Sequence, residues 1–287
     1  MILFGFGIVG CIPACNDSAT VLRGSDAGDG SAVDASMDVD GGAPMNNGVI
    51  QVSSTHSPNE NPPQESTAIF AGFTLDTKSA CPPETVVDGC SILDCVPPLS
   101  VAESRVTGGT LLVTGGKQNL TLVPSKQADY SPSTLSTALW DGGEALHLVG
   151  AGDVAPPVDL TLIAPAFVTV ETPVWPTGAA KLVISRSKPF DVAWTGGGAG
   201  KVQVAFTSTF ATAGFQLIAC SFVAAPGVAT ISAPVLGKIA SSATATQISI
   251  VSRSTVTKTS GSWTMTFTAE AKANTPTGLA GAPVDLQ

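Results

Sequence analysis

Hydrophobic and polar positions alternate along much of this chain. Trp263, Met265 and Phe267 are interleaved with Thr264, Thr266 and Thr268, and Val202, Val204 and Phe206 with Gln203, Ala205 and Thr207. A period of two sends successive side chains to opposite faces of an extended backbone, so each run reads as a half-buried strand of an antiparallel sheet. Short β-branched runs of this kind recur between Gly and Pro turn signals. They predict strands at 48–54, 67–76, 90–95, 109–115, 118–125, 144–152 and 158–165, then at 180–187, 190–196, 201–209, 215–222, 228–234, 246–259 and 263–271. No long segment carries a helical period. Regular short strands with turns between them indicate β-sandwich architecture and not alternating βαβ units.

A Pro-rich stretch separates the two groups of strands. Pro165, Pro173 and Pro176 suit a linker or an edge better than a central strand, because proline cannot donate to a sheet ladder. The boundary is therefore placed near residue 172. The expected fold is all-β, with two antiparallel β-sandwich-like (Ig-like) domains at 49–172 and 173–287. A signal segment at 1–15 and a disordered linker at 16–48 precede them.

The N-terminal segment "GFGIVGC" (residues 5–11) fits two templates. Gly5, Gly7 and Gly10 have the spacing of a dinucleotide-binding loop, but that loop must follow a strand and open a helix. Pro13 and then a run of Asp, Gly and Ser come next, so no helix N-terminus is available for a pyrophosphate. The second template fits better. Residues 1–10 are uncharged and apolar, long enough for a signal-peptide core and far too short to span a membrane. Ile8-Val9-Gly10-Cys11 has the form of a lipobox, which makes Cys11 the expected lipidation site. No Lys or Arg precedes the apolar run, a departure from the usual charged n-region.

Residues 16–48 hold six Asp and one Arg, a net charge of −5 out of −9 for the chain. Such a composition buries too little apolar surface to offset its ordering entropy, so a disordered, self-repelling tether is expected. Ser36, Asp38, Asp40 and Gly41 partly match a calcium loop. Ser stands at the first position, however, and Asn47 where the closing Glu belongs, so no metal site is assigned. The acidic balance and the lack of a basic patch exclude nucleic acid as a partner.

Cys81, Cys90, Cys95 and Cys220 form an even set in a chain read as exported, which predicts two disulfides. Zinc is the other use of such a cluster, but C-x-x-C pairs are missing. Cys90 and Cys95 face opposite sides of an extended strand. They are expected to take different partners, one Cys81 and the other Cys220.

The lipobox, the Asp/Gly/Ser tether, the C-x8-C-x4-C cluster, "LW" before "GGE" and "SRSKPFDVAWTGG" with Cys220 downstream resemble predicted secreted lipoproteins of myxobacteria, over nearly the whole chain. The resemblance implies an exported β-protein and carries no activity or cofactor.

Catalytic templates fare poorly. The two histidines are His56, in a polar loop, and His147, in a strand-like run. No G-x-S-x-G elbow occurs, and "SRSK" (185–188) lacks the S-D-N and K-T-G that accompany S-x-x-K in penicillin-recognising enzymes. Asp141, Glu144 and Asp153 cluster in turns, where acids are common. No catalytic residue is assigned. Trp194 and Trp263 alternate with apolar neighbours and are expected in the core. Trp140 and Trp175 lie beside turn signals and are the candidates for stacking on a ligand, against the tendency of Trp to be buried. The function expected is that of a lipid-anchored protein of the cell envelope, facing the periplasm or the outside, with a structural or docking role. Carbohydrate or peptide binding is the alternative. No cofactor is expected, and the partners are a membrane, through the anchor, and a glycan or protein ligand.

Overall fold

Alternation in the sequence becomes alternation in burial. In β14 below, Val202, Val204, Phe206 and Ser208 are buried while the residues between them are not. A computed structural model describes residues 46–58, 63–75, 84–95, 104–130, 133–176, 180–211, 214–225, 227–276 and 278–287. The expected signal segment and the tether up to residue 45 lie outside them.

The described strands begin with β1 (Asn46–Ser57), β2 (Gln64–Leu75), β3 (Thr85–Val87), β4 (Cys90–Cys95) and β5 (Ser104–Val106). β6 (Leu111–Thr114), β7 (Leu120–Leu122), β8 (Ser133–Leu135), β9 (Ala145–Gly150) and β10 (Val158–Ile163) follow. Next come β11 (Val168–Thr172), β12 (Leu182–Ile184), β13 (Phe190–Gly196), β14 (Lys201–Thr209), β15 (Phe215–Val223) and β16 (Val228–Ile231). A single turn of helix, α1 (Ala233–Leu236), precedes β17 (Ala245–Ser260), β18 (Trp263–Lys272), β19 (Asn274–Thr275), β20 (Gly278–Leu279) and β21 (Gly281–Leu286). The fold is all-β and sandwich-like.

One long sheet runs β3-β4-β15-β14-β17-β18-β1-β2-β5, with β8 joined to β2 and β21, carrying β12, joined to β17. A four-stranded sheet, β10-β9-β6-β7, and a five-stranded sheet, β16-β13-β11-β19-β20, complete the fold. Most pairs are antiparallel, but β1–β18, β12–β21 and β11–β19 are parallel.

Two hydrophobic cores result. The first packs Ile50, Phe73, Met265 and Phe267 of the long sheet with Leu111, Val113, Leu146 and Leu148 of the four-stranded sheet. The second packs Val204, Phe206, Ile218 and Ile250 with Val170, Val192 and Trp194 of the five-stranded sheet and with Val235 and Leu236 of α1. β17 touches both: Ile248 and Ile250 enter the second core, and Val256 packs on the first. These are all even-numbered residues of one regular strand, so both cores lie on the same face of the long sheet.

This arrangement corrects the expected division at residue 172. There are two cores, but the strands do not sort by position in the chain. β18, from the second half, forms part of the first core and pairs with β1, Asn46 opposite Trp263 through Ser54 opposite Ala271. β4, from the first half, pairs with β15 in the second. Residues 43–287 make one compact unit. The Pro-rich stretch is itself not a linker. It contains β11, hydrogen-bonded on one side to β13 and on the other to β19. The prolines flank β11, whose Val168 and Val170 are fully buried and whose ladder loses no donor.

Candidate functional site

Charged residues are scarce in the strands, so those within the long sheet stand out. On the face opposite the two cores, four neighbouring strands bring together Gln51 (β1), Glu270 (β18), Arg253 (β17) and Gln203 (β14). Gln51 Nε2 donates to Glu270 Oε2 at 2.7 Å. Arg253 Nε lies 3.6 Å from Glu270 Oε1, and both side chains are largely buried, 18% and 15% exposed. Arg253 Nη1 donates to Gln203 Oε1 at 3.4 Å, while Arg253 Nε makes no hydrogen bond. Burial pushes the Glu270 carboxyl above its usual range, and the Arg253 charge, the Gln51 hydrogen bond and Lys272 oppose this.

The local reason for the cluster is the geometry of β17. Its first part pairs with β14, Ala245 opposite Thr209 through Arg253 opposite Lys201. On the other edge, β21 covers Gln247–Ser249 and β18 takes over from Val251 to Ser260. Arg253 sits where β14 gives out, and its guanidinium can reach partners on both sides. The cluster holds one carboxylate and one permanent cation, with two amides completing their hydrogen bonding. That set can orient polar groups and carry charge. It offers no second acid and no nucleophile for general acid–base or covalent work.

The two histidines are each paired with a carboxylate across a ladder. His56 Nδ1 and Glu65 Oε1 are 2.7 Å apart, and His147 Nε2 and Asp159 Oδ1 are 2.8 Å apart. Among the described residues neither ring is hydrogen-bonded to a serine. Glu144 closes a turn: its two carboxylate oxygens accept from the backbone N–H of Asp141 and of Gly142, each at 2.7 Å. Partial burial would raise its pKa, but the N–H groups of Asp141, Gly142 and Glu144 itself outweigh that and hold it below the usual carboxylate range. The "SRSK" stretch ends β12. Arg186 there donates to the carbonyls of Gly237 and Ile239, at 3.0 and 2.6 Å, and so fixes the turn after α1.

Both stacking candidates are corrected. Trp140 is fully buried, with its Nε1 donating to Pro165 O at 3.0 Å, and it packs against Phe167. Trp175 is 6% exposed and lies in the second core; only its rim lines a small depression with Glu171, Pro173, Val174 and Pro276. A sugar or peptide needs an open ring face, and neither side chain presents one. Turn residues beside Trp140 suggest exposure, but its ring is a member of the first core together with its neighbour Leu139, and both are fully buried. Trp194 and Trp263 are core residues, as their alternation predicted.

Of the cysteines, Cys90 and Cys220 are disulfide-bonded across the β4–β15 ladder, where they stand directly opposite with Cα atoms 4.2 Å apart. Cys95, at the other end of β4, is also disulfide-bonded. Cys11 and Cys81 lie outside the described residues.

The sequence reading missed the Gln51–Glu270–Arg253–Gln203 cluster. Its one available signal was a charge at an outward position of an otherwise neutral strand, Arg253 in "SIVSRSTV" and Glu270 in "TFTAEA". The chain matches no protein-family model, and a comparison with curated proteins finds no match.

Proposed function

We propose that this chain is an exported protein, lipid-anchored in the cell envelope through Cys11, whose β-unit has a structural or docking role and no catalytic one. The observation that carries the reading is the Cys90–Cys220 bond. It is buried within a sheet and joins strands 130 residues apart in sequence. Structural bonds of this kind form and persist in oxidising compartments outside the cytosol. The lipobox at Ile8–Cys11 and the acidic segment after it support the same reading, since a lipid chain at the head of a polar tether holds a folded unit away from a membrane surface. Burial of Trp140 and Trp175 takes away the residues on which a glycan-stacking alternative rested.

The test is expression of the full chain and of Cys11→Ala in a bacterial host, followed by membrane fractionation and mass spectrometry of the N-terminal peptide. The wild type is expected in the membrane fraction with lipid on Cys11, and the variant in the soluble fraction. An unmodified Cys11, or a variant that stays with the membrane, would overturn the anchor.

A further inference from the structure

The five-stranded sheet covers the second core with one face and turns the other to solvent. Val170, Val192, Trp194 and Ile231 point inward. On the outward face one row crosses three strands: Val228 of β16 stands opposite Ala193 of β13, and Ala193 opposite Thr172 of β11. The next row pairs Thr230 with Asp191. Glu171, Thr172, Asp191, Val228 and Thr230 are all exposed, Val228 at 63%. At the β11 margin Val174 is 87% exposed, and Glu171, Pro173, Val174, Trp175 and Pro276 line a small depression. A single exposed valine is ordinary, but here Val228, Ala193, Thr172 and the Pro173–Val174 turn follow one another across an open sheet face.

We infer that this outward face is the docking surface of the protein and that it takes a short, extended segment of another protein in which two basic side chains flank an apolar one. The inference rests on the docking role proposed above and gives it a place and a partner chemistry. Charge selects the occupant. The five strands of this sheet carry two charged residues, Glu171 and Asp191, both carboxylates. Asp191 accepts from the Thr230 hydroxyl at 2.6 Å, a neutral partner that leaves its charge uncompensated. Glu171 has no hydrogen bond or ion pair among the described residues, and Lys188, three residues before Asp191, pairs with neither carboxylate. Because Thr172 stands opposite Ala193, Glu171 and Asp191 lie on either side of the Val228–Ala193–Thr172 row, on adjacent strands and roughly 11 Å apart. In an extended segment, residues four apart share one face at a spacing of about 13 Å, with a third residue midway. A Lys-x-Val-x-Lys pattern therefore reaches both carboxylates and sets its valine on Ala193. Three strands of this length offer roughly 300 Å² of face, well under the ~800 Å² per partner of a stable complex, so the contact is that of a short segment held with low affinity. A second copy meeting this face with its own, an anionic lipid surface, and the acidic segment 16–48 all bring negative charge to the two carboxylates and are disfavoured.

The test uses the full chain and an end-blocked pentapeptide, Lys-Thr-Val-Thr-Lys; a second peptide has Glu in place of Lys. The Lys peptide is expected to shift the NMR resonances of Thr172, Asp191, Ala193 and Val228 and to leave those of the four-stranded sheet unmoved. Glu171→Gln/Asp191→Asn is expected to weaken it about tenfold through the loss of two exposed ion pairs. Both positions are exposed, and Asn keeps an oxygen for the Thr230 hydroxyl, so the fold is retained. The inference is overturned if millimolar Lys peptide leaves these resonances unmoved, if the Glu peptide shifts them equally, or if the double variant binds as well as the wild type. It is also overturned if they shift on dilution of the protein without peptide, which assigns the face to a second copy, or with phosphatidylglycerol vesicles alone, which assigns it to a membrane. Cys11→Ala fractionation reads the anchor alone, so failure of either experiment leaves the other reading standing.

Discussion

Removing the Cys90–Cys220 bond is the perturbation with the largest expected effect on this fold. The two residues are 130 apart in sequence. Closing a loop of that length removes about 5 kcal/mol of unfolded-chain entropy in the loop-closure treatment, near the top of the range observed for native bridges. Cys90→Ala/Cys220→Ala also removes two buried sulfurs from the edge of the second core, where both residues are nearly inaccessible, and this adds roughly 1 kcal/mol of lost packing. Residual structure in the unfolded chain works the other way, so a net loss of about 4 kcal/mol is expected. For a unit of this size that corresponds to a melting temperature lower by roughly 8–16 °C. The assay is urea unfolding followed by tryptophan fluorescence, which is well placed because Trp140, Trp175, Trp194 and Trp263 are all buried and report on both cores. Unfolding the wild type under reducing conditions should shift it at least as far, because the bond to Cys95 is then lost as well. A double variant within about 1 kcal/mol of wild type would refute the view that the bridge staples the long sheet, because a bond that closes so long a loop cannot be removed so cheaply if the unfolded chain is otherwise free.

Other outcomes follow from the same physical terms. Glu270→Ala should cost about 3 kcal/mol by leaving Arg253 largely buried without its counter-charge, whereas Arg253→Met/Glu270→Leu should be within about 1 kcal/mol of wild type; a denaturation double-mutant cycle measures both. Because the folded chain raises the Glu270 pKa above the usual 4.5, the extra stability that comes with its protonation is fully present below that value and is lost as pH rises through the folded pKa, leaving only the pairing with Arg253. Glu270→Gln should remove this pH dependence, as read from unfolding free energies at successive pH values. Trp140→Phe keeps an aromatic ring but strands the Pro165 carbonyl, and a loss of about 1–2 kcal/mol in unfolding free energy is expected.

The strands were legible because they carry their pattern locally. Val202–Phe206 alternates in sequence and in burial, since a sheet with one covered face enforces a period of two, whereas Trp263–Phe267 alternates in sequence but is buried throughout, its threonines included. Which strands pair was not legible. Nothing local in "VIQV" indicates that its neighbour is "TFTA", more than two hundred residues away, because parallel pairing of β1 with β18 is decided by the closure of the whole sheet. The prolines at 165, 173 and 176 misled for a related reason: proline marks where a ladder must end, not whether a buried strand lies between two of them. The polar cluster was obscured because each member sits singly on its own strand, and only the register of β1, β18, β17 and β14 brings the four together.

The pairing of β1 with β18 also bears on the order in which the protein can be made. Most of the first core comes from residues 50–164, yet Trp263, Met265 and Phe267 form part of its floor. A chain emerging N-terminus first therefore holds Ile50, Ile69 and Phe73 without that floor until nearly all of it has been synthesised. Contacts of such long sequence separation form slowly and leave apolar surface and strand edges open meanwhile. A product truncated before β18 therefore has no route to the native first core, however complete its own strands may be.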